Sequence, residues 1–128
     1  MKHAIPMNVM AADRTDALIV ELGPELNVLR QGRDGVLSVS NYYVEHPNRW
    51  FSYDCPRQVA MEEFADDHRG QMTAELMEKA LKEGSYDALN LQAVVLAPAQ
   101  MQIRVSINKV PAVDGPYQVF DVDELLAE

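Results

Sequence analysis

The stretch from Asp54 to Gly84 constrains the fold most, because its pattern predicts helix along almost its whole length. Asp54 precedes Pro56; an Asp before a helix accepts hydrogen bonds from unpaired backbone amides, and a Pro fits the first turn. Side chains on one predicted helix face recur about every four residues and form a mostly apolar stripe. The stripe comprises Ala60, Phe64, His68, Met72, Leu76 and Ala80. Gly84 is a typical helix stop.

Gly70 leaves the number of helices open. It ends a first helix if Thr73 caps a second one. In a single continuous helix it would cost roughly 1 kcal/mol relative to Ala. The apolar spacing does not reset across Gly70, so the sequence favours two helices, or one kinked helix, within about residues 55–83.

Segments with strand-like patterns lie on both sides of the helical stretch. The predicted strands cover residues 4–10, 16–22, 25–31, 36–44, 89–96, 101–108 and 117–122. We expect 25–31 and 36–44 to form a hairpin, because Asp34-Gly35 supplies the positive φ angles of a tight turn. In 101–108, apolar and polar residues alternate, which predicts one side facing the core and one facing water. Residues 123–126 read as one helical turn.

These elements predict an α+β protein, with two helices (or one kinked helix) packed on one face of an antiparallel sheet. The 128 residues fit a single compact domain over 1–128. The chain has no apolar run long enough to span a membrane and no apolar signal-peptide core at its start. With a single cysteine, Cys55, it has no internal disulfide, and a cytoplasmic location is the expectation.

Net charge bears on the partners that such a chain can bind. The chain carries 20 acidic and 11 basic residues, for a formal charge of −9. Phosphate contacts need Lys and Arg, so we expect no direct nucleic-acid binding. Residues 110–128 contain five acidic residues and no basic one. This distribution favours a protein partner with a basic surface, although net charge also serves solubility.

Five of the nine aromatic residues fall within residues 42–53. Tyr and Trp are common in binding hot spots because they combine contact area with a polar group. We therefore take Tyr43, His46, Trp50 and Tyr53 as candidate binding residues that line a pocket or an interface. The alternative is that this cluster packs a strand onto the first helix.

A second group of candidate binding residues is acidic: Glu62, Glu63, Asp66 and Asp67. On one helix these carboxylates would form a negative surface for a basic partner, or a solvated face without a role. Neither the Cys/His spacings of zinc sites nor a phosphate-binding glycine loop occurs, so we predict no metal and no cofactor. Cys55 lies at a predicted helix start, where a thiol can act as a nucleophile. An inert buried thiol is nevertheless the expectation.

The sequence therefore favours a non-enzymatic interaction protein: an inhibitor, an immunity protein or an adaptor. In one version it masks a basic or nucleic-acid-binding surface, as anti-restriction and anti-CRISPR proteins do; the likeness is in size and charge only. The first alternative is a small enzyme or ligand-binding domain with a pocket near residues 42–55. The second is a structural or assembly subunit, and a homodimer is left open.

Overall fold

The structure is a computed structural model that describes residues 7–13, 15–47 and 55–127. Its strands are β1 (Met7–Ala12), β2 (Ala17–Leu22), β3 (Asn27–Gln31), β4 (Ala93–Ala97), β5 (Gln102–Ser106) and β6 (Gln118–Asp121). Its helices are α1 (Pro56–Asp67), α2 (Ala74–Glu83) and α3 (Val122–Leu126). The predicted α+β class is confirmed, with the strands divided between two antiparallel sheets. Internal contacts divide the chain into two units, Met1–Asp66 and Asp67–Glu128.

The first sheet has the order β1-β2-β3, and both strand pairs are antiparallel. The predicted strands 16–22 and 25–31 are confirmed as β2 and β3. Strand β1 begins at Met7, and the earlier residues of the predicted strand 4–10 lie outside the described part of the chain.

The predicted hairpin between 25–31 and 36–44 is wrong beyond its turn. Asp34 and Gly35 do take positive φ values of 52° and 81°, and Arg33 pairs with Val36 in a single bridge. Residues 37–44 form no strand beyond a single bridge residue at Tyr43, and β3 pairs with β2 instead. The turn could be predicted from Asp34-Gly35 alone, whereas the strand that pairs with β3 depended on contacts distant in sequence.

Residues 37–46, named here the crossing segment, are held against one face of the first sheet by polar side chains. Asn8 donates its side-chain amide to two carbonyl oxygens of the segment at 2.9 Å each. Arg30 donates to the Ser38 carbonyl oxygen at 2.7 Å. Glu21 lies on the same face and accepts hydrogen bonds from three of the segment's amides. These bonds satisfy backbone groups that a strand ladder would otherwise pair.

The helical stretch contains two helices, which resolves the ambiguity at Gly70. Gly70 takes a φ of 72°, a left-handed value that ends a helix at low cost only for glycine. Thr73 caps α2, and its Oγ accepts a hydrogen bond from the Leu76 amide at 3.2 Å. Gly84 follows the last turn of α2 and donates its amide back to the Ala80 carbonyl oxygen.

Helix α1 contacts the crossing segment through side chains. The Ser38 hydroxyl donates to Glu62 Oε1 at 2.5 Å, and Arg57 donates to the Asn41 side chain at 3.1 Å. Gln58, the buried residue of α1, also donates to Glu62 at 3.1 Å. Polar contacts therefore hold this helix beside residues 38–41.

The second sheet has the order β4-β5-β6 and is antiparallel throughout. The alternation predicted for 101–108 is confirmed in β5, but the helix covers the side predicted to face water. Arg104 pairs with two glutamates of α2, and Ser106 is buried and donates to the Ala112 carbonyl oxygen at 2.6 Å. Ile103 and Val105 lie on the opposite side of the sheet. Charge pairing and a backbone acceptor thus make the polar side suitable for burial.

The core of the second unit is small. Ala93, Ala112 and Val113 are buried together, with Leu81 of α2 and Tyr117 packed against them. Small side chains let α2 approach β4 closely. Val95 lies on the same side of β4 and is also buried, with 2 % of its surface exposed, while Val94, Leu96, Ile103 and Phe120 lie on the other face.

Candidate functional site

A buried carboxylate organises the first unit, and sequence reasoning did not single it out. Glu21 has no exposed surface. Its carboxylate accepts from the amides of Val44, Glu45 and His46 at 2.7–3.0 Å. Arg30 Nε lies 3.3 Å from Glu21 Oε1, as an ion pair without a hydrogen bond from that nitrogen. Glu21 sits at an inward position of an otherwise apolar strand, and this lone charge was the available signal.

Two of the candidate aromatic-cluster residues, Tyr43 and His46, lie inside the first unit. Both are buried, and their rings stack with centroids 4.6 Å apart. The Tyr43 hydroxyl donates to the Leu22 carbonyl oxygen, and His46 Nε2 lies 3.0 Å from the Leu26 carbonyl oxygen. Burial raises the pKa of Tyr43 above its usual value. These contacts hold the crossing segment to β2 and to the turn after it, whereas the packing alternative drawn from the sequence placed a strand against the first helix.

Trp50 and Tyr53, the other two aromatic candidates, lie outside the described residues. Their part in a pocket or an interface stays a prediction.

The four acidic candidates lie on α1 but differ in their surroundings. Glu62 is half-buried and accepts hydrogen bonds from Ser38 and Gln58. Glu63, Asp66 and Asp67 are exposed. The helix therefore presents three carboxylates to solvent, while Glu62 holds α1 to the crossing segment.

Cys55 immediately precedes α1 and is buried, with 4 % of its surface exposed. Burial acts to raise the pKa of its thiol. Hydrogen bonds from the Gln58 amide, the Ser40 side chain and the Arg57 amide, together with the Arg57 charge, outweigh burial and lower the pKa below its usual value. A thiol so enclosed is poorly placed to attack a substrate.

Each unit has a depression on the part of its surface that the structure describes. One, of about 430 Å³, lies beside the β1–β2 turn and is lined by Asp13 and Asp16 among others. The Asp13 carboxylate is already occupied by the Thr15 amide, the Thr15 hydroxyl and the Asp16 amide, at 2.7–2.9 Å. Among the described residues, no group of three or more His, Cys, Asp or Glu side chains could hold a metal ion.

The second depression, of about 280 Å³, lies between α2 and residues 113–117. A salt bridge of 2.6 Å between Lys82 and Asp114 lies at its wall. The Tyr117 hydroxyl is buried and has no hydrogen-bond partner within the described chain. Burial and the nearby charge of Glu78 raise its pKa. The depression is shallow, and both of its carboxylates already have cationic partners.

The face of the second sheet opposite α2 is apolar, and we name it the outer face. Its apolar members are Val94, Leu96, Ile103, Val105 and Phe120, and the exposed Gln118 of β6 lies on the same face. Leu96 exposes 66 % of its surface, Val94 45 % and Phe120 38 %. Apolar residues gathered on one side of a sheet mark an interaction surface more often than singly scattered ones do.

Acidic residues adjoin the outer face at β6. Helix α3 begins directly after β6, and Asp121 caps it by accepting from the Asp123 and Glu124 amides. Asp123 and Glu124 are exposed, and so are the two leucines that follow them. The strand that carries Phe120 is thus followed directly in the chain by two exposed carboxylates.

No protein-family model, curated protein or solved structure matches the chain. Within residues 7–13, 15–47 and 55–127, no helix is both long enough and apolar enough to cross a membrane.

Proposed function

We propose that the chain is a non-enzymatic protein-interaction module, an inhibitor or adaptor, that binds its partner through the outer face. The observation that carries this proposal is an apolar sheet face flanked by acidic residues. Phe120 supplies the aromatic anchor, since buried aromatic residues dominate many protein interfaces. The partner surface we infer is an apolar patch with Lys and Arg at its rim.

Charge supports a partner of this kind. The C-terminal segment 110–128 contains five acidic and no basic residues, within a chain of net charge −9. The exposed acids of α1 add to that field. Complementary charge speeds association and selects against acidic competitors, while the apolar centre limits dissociation.

The first sheet also exposes apolar residues, on the face opposite Glu21. Met7, Leu18 and Leu29 are exposed there. The adjoining turns carry charges of both signs, including Asp16 and Arg33. A mixed rim gives no preference for the charge of a partner, so the outer face is the better candidate.

The test begins with site-specific photo-crosslinking in cells that express the chain. A photoreactive amino acid replaces Phe120, and a matched variant carries it at Lys79 on α2. We expect a protein crosslinked from position 120 and not from position 79. Capture alone would not suffice, so that protein is purified and its affinity for the intact chain is measured.

With the purified partner, Phe120→Lys should weaken binding by at least about tenfold, because it replaces the aromatic anchor of the contact with a charge. Asp123→Asn with Glu124→Gln should weaken binding less and reduce its salt dependence. Neutralising Glu63, Asp66 and Asp67, with Glu62 kept for its bond to Ser38, should mainly slow association. Unchanged affinity in Phe120→Lys, with the fold intact by circular dichroism, would refute the proposal.

A further inference from the structure

Strand β4 is an edge strand that lacks the usual protection. The second sheet has the order β4-β5-β6, so one side of β4 has no partner among the described strands. Natural edge strands usually carry charges, Pro or bulges that prevent pairing with another chain. No Asp, Glu, Lys or Arg lies between Asp87 and Arg104, and β4 itself reads AVVLA. Such an edge is a template for a further strand.

The sequence of β4 is close to a palindrome about Val95. If two copies of β4 run antiparallel with Val95 opposite Val95, Ala93 lies opposite Ala97 and Val94 lies opposite Leu96. On the buried side, small residues then meet small residues. On the outer face, large apolar residues meet each other, which is the favourable type of cross-strand pair. The strand is therefore complementary to itself in one register.

We propose that two copies of the chain pair through β4 about a two-fold axis at Val95, which joins their sheets into one six-stranded antiparallel sheet. A two-fold contact uses the same surface on both subunits, so a self-complementary strand suits it. The 3-10 turn that begins at Pro98 ends β4 and limits the paired segment to its five residues. This inference does not rest on the proposed partner-binding function, because Phe120 lies on β6, at the other edge of the sheet.

The symmetric register keeps the two outer faces on the same side of the joined sheet. Val94 and Leu96 belong to the outer face, and both pair across the axis with the same face of the other copy. The apolar surface would then continue from one copy to the other. In each copy, the outer face around Phe120 remains available to the proposed partner protein.

Two matched variants test the register. Val94→Lys with Leu96→Lys places like charges opposite each other across the axis, twice per dimer. Val94→Glu with Leu96→Lys removes the same two apolar side chains but places opposite charges there. Position 94 has 45 % and position 96 has 66 % of its surface exposed, so we expect both variants to fold.

Sedimentation velocity over a wide concentration range should show a dimer for the unchanged chain. The Lys/Lys variant should raise the dimer dissociation constant by roughly tenfold or more, whereas the Glu/Lys variant should stay close to the unchanged chain. A monomer at every concentration would overturn the proposal. Equal weakening in both variants would overturn the register, as would a dimer unaffected by either.

An introduced disulfide gives a second readout. In the proposed register, position 95 faces itself across a Cα separation of about 4.5–5.5 Å, within disulfide reach. Val95→Cys should therefore give a covalent dimer on mild oxidation. Leu96→Cys should not, because position 96 faces position 94. Crosslinking through position 96 and not through position 95 would contradict the two-fold axis at Val95.

Discussion

At the residue scale, the first unit depends on a carboxylate inside an apolar strand. Glu21 is fully buried and binds three consecutive amides of the crossing segment, beside the Arg30 guanidinium. Burying a charge is costly unless ionic and hydrogen-bonding partners replace water. Here the hydrogen-bonding partners come from a segment more than twenty residues away and the ionic partner comes from β3. Gly23 also belongs to this arrangement, because a methyl group there would lie 2.8 Å from His46 Cε1.

We expect Glu21→Gln to lower the free energy of unfolding by about 3–5 kcal/mol, because it leaves the buried Arg30 charge uncompensated. The glutamine side-chain amide would also place its N–H donor opposite the backbone N–H donors that the carboxylate of Glu21 accepts from. Urea denaturation followed by circular dichroism measures the loss. The double variant Glu21→Gln with Arg30→Met should recover part of it, since both charges are then gone. A double variant as unstable as the sum of the two single variants would argue against coupling.

At the element scale, the helices and most strands follow from local pattern and capping. The spacing from Ala60 to Ala80 and the caps at Thr73 and Gly84 were readable from the sequence, and the left-handed φ of Gly70 decides between one helix and two. The segment 36–44 could not be read this way. Its β-branched and aromatic residues suit a strand, but Asn8, Arg30 and Glu21 satisfy its backbone and hold it against the sheet.

Thr73→Ala should destabilise the second unit by about 1 kcal/mol, because the Leu76 amide loses its side-chain acceptor. Thr73→Ser keeps the acceptor and serves as the control. Hydrogen exchange of the α2 amides, with thermal denaturation of the whole chain, measures the effect. Equal destabilisation by the two substitutions would show that the methyl group of Thr73, and not its hydroxyl, is what matters.

At the scale of the whole molecule, charge makes stability depend on pH. Three carboxylates have pKa values below their ordinary 3.8 (Asp) or 4.5 (Glu): Asp13, Glu75 and Asp114. The Thr15 amide lowers the pKa of Asp13, the residue's own amide lowers that of Glu75, and Lys82 lowers that of Asp114. Each group binds fewer protons when folded than when unfolded, so each contributes stability at neutral pH.

That contribution should be fully present above the ordinary pKa values and should be lost as the pH falls through the lower values of the folded chain. The free energy of unfolding should therefore decrease as the pH falls below the ordinary values near 4. Urea denaturation at a series of pH values measures this slope. Glu75→Gln should make the slope shallower. A slope that is the same in this variant would contradict the role assigned to Glu75.

The sequence by itself determined the α+β class, the helical character of the central stretch, the caps of α2 and the alternation of β5, because these depend on contacts within a few residues. The tertiary structure decided which side of β5 a helix covers. Arg104 pairs with Glu75 and Glu78, so the polar side of the strand faces α2 while Ile103 and Phe120 remain on the outer face. The tertiary structure also decided that Glu21 is buried and that β4 lies at the edge of its sheet. A strand pattern specifies two faces, but only the charges and amides brought to one face from elsewhere in the chain determine which face is buried.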